Sequence, residues 1–377
     1  MTPLLVWLGV VLALVGALWW AYRVPPAVTL ERALPPSGFQ GTRALLTVQV
    51  AVHSRLPLRF VLEDPAPRSV VPDTPVTLAG VGAGRVTVEF LTPLSLNRRG
   101  VHVWPGATLR WADPLGLFWR HCPVSAPQEL VVYPGTHGLV LPDLLRPLLS
   151  EGGLTRRLGL DDPLSLRGVR EYVAGDPPGR VHWRRSASSL GTGAGLGTLT
   201  VRDPERTAAS SVTVYLDTAA GNDVYLESAV RLAASLVQEG LALNLPVSVA
   251  TRSGASPAGQ HAEAVRSALR RLAQVTLEPG EPLIPPTRSG GNLFILSAQP
   301  GPALIAQAMR ARAQASRVAI IALPEGFYLE PGEKPRRQWV GAPDSVRALE
   351  QQAGALLGAG ILVFVLRGNQ SVLKLGS

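Results

Sequence analysis

Cysteine is almost missing from this chain: among 377 residues Cys122 is the single one. One thiol closes no internal disulfide and builds no thiolate zinc site, which excludes a disulfide-stapled secreted module. Lysine is nearly absent as well, with Lys334 and Lys374 the only two among 36 basic residues. The remaining basic charge is arginine, scattered along the chain and interleaved with acids, as a GC-rich coding sequence imposes. The net charge of +9 and a pI near 10.5 therefore argue for affinity to anionic surfaces and against nucleic acid as a partner. Charged residues are only 17% and hydrophobic ones 46%, which excludes wholesale disorder. Glycine (38) and proline (34) are plentiful but show no three-residue period, so collagen is excluded and many turns between short elements are predicted.

One long apolar run is present. Leu4 to Tyr22 reads LLVWLGVVLALVGALWWAY without a charged side chain. A helix of that length spans roughly 28 Å at about 1.5 Å per residue, enough for the hydrocarbon core of a bilayer. Trp19, Trp20 and Tyr22 gather at one end, where amphipathic rings favour the headgroup zone, and Arg23 with Pro25-Pro26 ends the span. A cleaved signal peptide and a buried core helix are the alternatives. A signal peptide opens with a basic region and closes with small residues, whereas here Met1 and Thr2 precede the run and aromatics follow it. The sequence thus predicts a retained single-pass anchor. Arg23, Arg32 and Arg43 all lie after the span, so the positive-inside rule places the bulk in the cytoplasm, at the inner membrane.

Beyond the anchor the texture changes twice. From Val24 to Pro134, short runs (VTLERAL, LLTVQVAVHS, LRFVLED, TPVTLAG, RVTVEFLTP, VHVWPG, ELVVYPG) alternate in twos between Pro and Gly, which predicts an antiparallel β-sandwich-like domain. From Ser211 onward near-continuous Val/Ile/Leu strands alternate with helices. SVTVYLD precedes a helix over Asp223 to Glu239 with a stripe of Leu226, Val230, Ala233, Leu236 and Val237; LPVSVAT, NLFILS, RVAIIAL and GILVFVL follow, separated by helices over His261–Leu272, Pro302–Ala315 and Asp344–Leu357. Such strands argue for a parallel sheet covered on both faces. The reading is a multidomain chain: anchor 1–23, β-sandwich-like domain 24–137, an intervening segment 138–210 and an α/β domain 211–377.

The intervening segment is arginine- and glycine-rich, and a long irregular stretch of this kind is more often functional than accidental. Arg170-Glu171-Tyr172, Gly175-Asp176, Arg180-Val181, Trp183, Ser186-Ala187 and Val201-Arg202 follow one another along it. That series resembles the signature of the bacterial family called domain of unknown function 58 (DUF 58). A second stretch, Arg99-Gly100 followed by Asp113-Pro114-Leu115-Gly116-Leu117-Phe118, is similar to another element of the same family. Ser188 stands where the family usually has Arg, Gly191 to Gly197 looks like an insertion, and many members have two N-terminal spans. The resemblance implies a Rossmann-like, von Willebrand factor A-like α/β domain and a role beside a MoxR-type AAA+ ATPase, in assembly or maturation of envelope or other protein complexes.

Physically, Arg170, Arg180, Arg184 and Arg185 beside Glu171 and Asp176 suit an arginine–carboxylate network, because the guanidinium fork pairs carboxylates bidentately. Tyr172 and Trp183 add apolar area. The segment either staples itself onto the α/β domain or presents a docking surface, since Trp, Tyr and Arg are enriched in binding hot spots. In the second stretch, Asp113-Pro114 starts a turn, Gly116 permits a positive φ, and Leu117 and Phe118 are expected to return the chain to the core.

A metal-ion-dependent adhesion site of von Willebrand A type needs D-x-S-x-S after the first strand, because Mg²⁺ prefers hard oxygen ligands. Here Asp217-Thr218-Ala219-Ala220-Gly221 keeps the Asp and replaces both hydroxyls, so Asp217 is expected to order the turn or cap the next helix rather than bind metal. The six histidines show no ligand spacing, His121 and Cys122 are adjacent, and no nucleophile elbow or phosphate loop occurs. No cofactor is implied. The sequence therefore favours a non-enzymatic, membrane-anchored interaction module. A membrane-associated hydrolase using the signature's acids and a metal-dependent von Willebrand A-type binding module are the alternatives.

Overall fold

The computed structural model describes residues 2–104, 106–135, 161–172, 181–183, 186, 199–206, 211–219, 221–242, 245–286, 290–323, 344–367 and 371–375. The chain divides into two compact units, Met1–Gly135 and Thr136–Ser377.

The first unit opens with helix α1 (Thr2–Ala21), among the described residues the one helix long and apolar enough to cross a membrane. It is not a core helix, because its large apolar side chains face outward, from Leu4 at 74% exposed to Trp20 at 60%. Tyr22 departs from the expected aromatic girdle. It is buried with the core of the β unit, its hydroxyl donates to the Pro57 carbonyl (2.5 Å), and its own carbonyl accepts Trp111 Nε1–H (3.1 Å).

Nine strands follow: β1 (Ala27–Ala33), β2 (Ser37–Phe39), β3 (Arg43–Glu63), β4 (Val70–Pro72), β5 (Thr77–Leu96), β6 (Gly100–Trp104), β7 (Ala107–Ala112), β8 (Arg120–Val124) and β9 (Gln128–Tyr133). The larger sheet is antiparallel in the order β4-β5-β3-β7-β8, with β1 also on β3; β2, β9 and β6 form the smaller sheet. Two pairs of expected short strands are in fact single long ones, β3 and β5. A bulge lets β3 pass through Arg55-Leu56-Pro57: Ser54 faces Gly84 and Leu58 faces Gly82. The bulge adds an even number of residues, so Val50, Val52, Leu58, Phe60 and Leu62 all keep their inward phase. Pro57 sits inside the bulge, where its missing N–H costs no ladder bond.

A buried ion pair closes this unit. Arg32 on β1 donates through Nε and Nη2 to the two carboxylate oxygens of Asp64 (both 2.7 Å), with side chains 1% and 0% exposed. Its Nη1 reaches the Ala126 carbonyl, ahead of β9.

The second unit begins with an antiparallel ribbon, β10 (Asp161–Glu171) against β11 (Thr200–Arg206). The α/β layer then runs β12 (Val212–Leu216), α2 (Asp223–Ala242), β13 (Val247–Thr251), β14 (Gly254–Ala255), α3 (Ala262–Gln274), β15 (Asn292–Ser297), α4 (Pro302–Arg312), β16 (Arg317–Ala322), α5 (Asp344–Gly358), β17 (Ile361–Arg367) and β18 (Ser371–Leu375). The sheet order is β14-β13-β12-β15-β16-β17-β18. Five central strands are parallel, as expected; β14 and β18 add antiparallel edges that the sequence reading lacked. Val212, Val214 and Leu216 pack with α2 and α3, whereas Tyr215, Leu293 and Ile295 pack with α4 and α5. Alternate residues of each strand thus serve opposite faces, which is why these strands are apolar throughout.

Asp64→Ala should destabilise the β unit by about 3–5 kcal/mol, because it leaves a buried guanidinium without its counter-charge. Replacing both members, Arg32→Met with Asp64→Leu, should recover most of that loss in urea unfolding. A single variant as stable as the parent would contradict the role given to the pair.

Candidate functional site

Two places carry the residues singled out by sequence. The first is β11, where separated pieces of the signature converge. Arg170 pairs with Val201 and Glu171 with Thr200 across the ribbon, and the Tyr172 N–H donates to the Leu199 carbonyl (2.7 Å). Val181, buried, bridges Val201 from the other side, and the His182 N–H donates to the Thr200 carbonyl (2.8 Å). Ser186 is 2% exposed, and its Oγ accepts the Thr200 N–H (2.9 Å) and meets the Thr200 hydroxyl (3.1 Å). A further turn, the Ser186 N–H to the His182 carbonyl (3.0 Å), fixes the residues between which Trp183 stands.

Trp183 is 64% exposed and Tyr172 37%. The sequence reading credited both with apolar area for a network, yet each faces solvent on a framework held by Val181, Ser186 and Val201. Gly175, Asp176, Arg180, Arg184 and Arg185 lie outside the described residues.

The second place is the carboxyl end of the parallel sheet. β12 has β13 on one side and β15 on the other, the point at which the strand order reverses and where doubly wound sheets open a crevice. Asp217 and Ser297 end these two strands. Asp217 is 3% exposed; its Oδ2 accepts the Ser297 hydroxyl (2.6 Å) and its Oδ1 the Ala219 N–H (3.1 Å). The turn-ordering role expected of Asp217 is present, but the helix cap belongs to Asn222, whose Oδ1 accepts the Tyr225 N–H (2.8 Å). Tyr225 in turn donates to the Asp217 carbonyl (2.7 Å), and Gly221 (φ 118°) leaves room for its ring, since a Cβ there would lie 2.3 Å from it. Ser297, 80 residues away, is a partner that local spacing could not reveal.

Burial pushes the Asp217 carboxyl above the ordinary range, against the hydrogen bonds from Ser297 and Ala219, which pull it down. The Tyr215 phenol is pushed up to about 12, by burial first and then by the Asp217 charge. Among the described residues, no group of three or more His, Cys, Asp or Glu side chains gathers as metal ligands. A depression of about 270 Å³ beyond β15, between Gly301–Ile305 and Ala348–Gln352, is lined by apolar residues, glycine and two glutamines. It offers no acid, base or nucleophile.

The described residues thus define a two-unit chain: an apolar N-terminal helix leading into a curled antiparallel β unit, then a mixed α/β unit with five parallel strands. No protein-family model matches the sequence, and no curated protein does. Over 28% of its length the chain is similar to the ASH/PapD-like domain of human CEP192 (11% identity, 82% of that chain, TM-score 0.19). Over 28% it is also similar to a CARDB domain from Pyrococcus furiosus, solved in complex with di-metal ions (12% identity, 93% of that chain, TM-score 0.19). A third similarity, again over 28%, is to WR4, a member of the MSP family of C. elegans (11% identity, 94% of that chain, TM-score 0.17). Superpositions at that level fix neither fold nor function.

Two measurements probe Asp217. A carboxyl raised in the folded state holds more protons there than in the unfolded chain, so stability falls as pH rises above the ordinary carboxylate value of about 3.9. Asp217→Asn removes this titration and should gain on the parent chain between pH 4 and 7 in urea unfolding; a difference independent of pH refutes the burial argument. Because Ser297 and Ala219 already engage both carboxylate oxygens, millimolar Mg²⁺ should leave the melting temperature unchanged. A ligand at 100 times its dissociation constant would add about 2.7 kcal/mol, so a saturable rise would reinstate Asp217 as a ligand.

Proposed function

We propose that this chain is a membrane-anchored, non-enzymatic protein-interaction module of the DUF 58 type, working with a MoxR-type AAA+ ATPase in the assembly or maturation of envelope or other protein complexes. One observation carries the reading: residues of the signature that are far apart in sequence, Arg170, Val181 and Ser186, meet on β11 and hold Trp183 out into solvent. An exposed tryptophan on a hydrogen-bonded framework costs solvation and adds little to a core, whereas it is the side chain most enriched in docking hot spots. The same framework divides the labour, with the buried Ser186 structural and the exposed Trp183, for which the sequence favoured a structural role, recognising a partner.

The rest of the proposal follows from the two ends of the chain. α1 is a retained single-pass anchor in the inner membrane, and the arginines after it keep the bulk on the cytoplasmic side. The α/β unit is von Willebrand A-like, with a degenerate adhesion site at Asp217 that the Ser297 hydroxyl fills from within. A buried carboxylate satisfied by its own protein suits a binding scaffold better than an acid that must exchange protons with a substrate.

The test is binding of the full-length chain, in lipid nanodiscs, to a MoxR-type AAA+ ATPase of the same organism, with ATP and without. Trp183→Ala should weaken binding about thirtyfold, equivalent to about 2 kcal/mol, while leaving the melting temperature in place. Ser186→Ala should do the reverse, lowering stability by about 1 kcal/mol because it removes the acceptor of the part-buried Thr200 N–H. Full binding by Trp183→Ala in a folded chain would overturn the docking role.

A further inference from the structure

The turn after β7 does not return Leu117 to the core, as the sequence suggests, but turns it out beside Leu115, while Phe118 is half-buried. Leu115 is 71% exposed, Leu117 56% and Trp119 43%, and Leu56 in the β3 bulge is 42% exposed. The turn is nevertheless rigid. Asp113 is fully buried, and its carboxylate accepts the N–H groups of Leu115, Leu117 and Phe118 (each 2.9 Å). Gly116 adopts φ 74° at its tip.

These outward side chains surround the end of α1. Leu56 precedes Pro57, whose carbonyl holds the Tyr22 hydroxyl, and Trp111 on β7 holds the Tyr22 carbonyl. Arg120, next to Trp119, donates to the Trp19 carbonyl (3.2 Å) and lies over its ring at 5.1 Å. The turn is therefore within one side chain's reach of the aromatic end of the helix.

Arginines outnumber acids around the turn. Arg23 stacks on Trp20 at 3.8 Å, Arg110 lies 5.4 Å from the Trp119 ring, and exposed Arg59 comes within 3.6 Å of a Cβ placed on Gly116. Of the acids there, Asp113 is enclosed by its three N–H donors and Glu63 faces Arg110 at 3.5 Å.

We propose that this end of the β unit is a bilayer-docking face. The Leu115–Leu117 turn enters the boundary between headgroups and acyl chains, and the arginines around it meet anionic phosphate headgroups. Leucine and tryptophan on an arginine-rich rim are the composition that partitions to that boundary. The proposal rests on α1 being the membrane span, and it adds a second, sequence-distant contact with the same bilayer.

The experiment separates the two. Single cysteines replace Gly9, Leu117 or Leu91 in a Cys122→Ala background, and the full-length chain carries an environment-sensitive fluorophore in nanodiscs of phosphatidylcholine with or without phosphatidylglycerol. Leu91 is the dry-land control: it is 56% exposed but pairs with Thr47, about 20 Å along the β1–β3 ladder from the helix junction at His53. With nitroxide-labelled lipid, the Gly9 probe should be quenched in both bilayers. The Leu117 probe should be quenched at least threefold more than Leu91 in the anionic bilayer, and Arg59→Glu should reduce that excess. An unquenched Gly9 probe overturns the anchor; a quenched Gly9 probe with Leu117 equal to Leu91 overturns the docking face alone. Should the cysteine-free background not fold, the native chain serves. The emission lost in Trp119→Phe should be a component that brominated phosphatidylglycerol quenches, and an unquenched component overturns the proposal.

Discussion

Hydrogen bonding at the end of α1, foremost Trp111 Nε1 to the Tyr22 carbonyl, decides how the apolar helix and the β unit relate. The last turn of a helix leaves carbonyls without partners, and water or a flexible linker commonly satisfies them. Here the β unit does so, through Trp111 and through Arg120 at the Trp19 carbonyl. Tyr22 is drawn into the β core at the same point. The helix axis is thereby fixed to one end of the unit, and that attachment decides which surface of the β unit lies beside the apolar helix.

Much of the α/β unit was legible because its strands are buried on both faces, which makes them near-continuous apolar runs with helices between them. The antiparallel edges were not: Gly254-Ala255 is too short to show a period, and Ser371–Leu375 reads as a tail. In the β unit, Pro57 and the glycines around 82 look like strand breakers. The bulge that absorbs them is a property of the pair β3–β5, not of either segment. Leu117 misled for a different reason. An apolar side chain after a turn is ordinarily a return to the core, but Asp113 satisfies the backbone of this turn internally and lets its leucines stay outside.

The functional places show the same limit. D-x-S-x-S is a local pattern, and its loss at Ala219 and Gly221 was plain. The hydroxyl that does meet Asp217 comes from the end of another strand. Ser186 was singled out only by a resemblance, and the purpose of its hydroxyl emerged when β11 brought the Thr200 N–H to it. Sequence picked out candidate residues; pairing across the fold told which of the described ones hold the framework and which face outward.

The Arg32–Asp64–Ala126 junction bears on how the protein is made. Arg32 emerges soon after the apolar helix, but its last partner lies 94 residues further on. At roughly 5–20 residues per second, translation takes about 5–19 seconds to deliver it. Through that interval the apolar helix is already complete while β1 still lacks the strand connection that closes over it. The ion pair cannot be desolvated early, since an arginine buried without its acceptors is strongly unfavourable. The β unit is thus obliged to complete itself late, well after its apolar first helix has been synthesised.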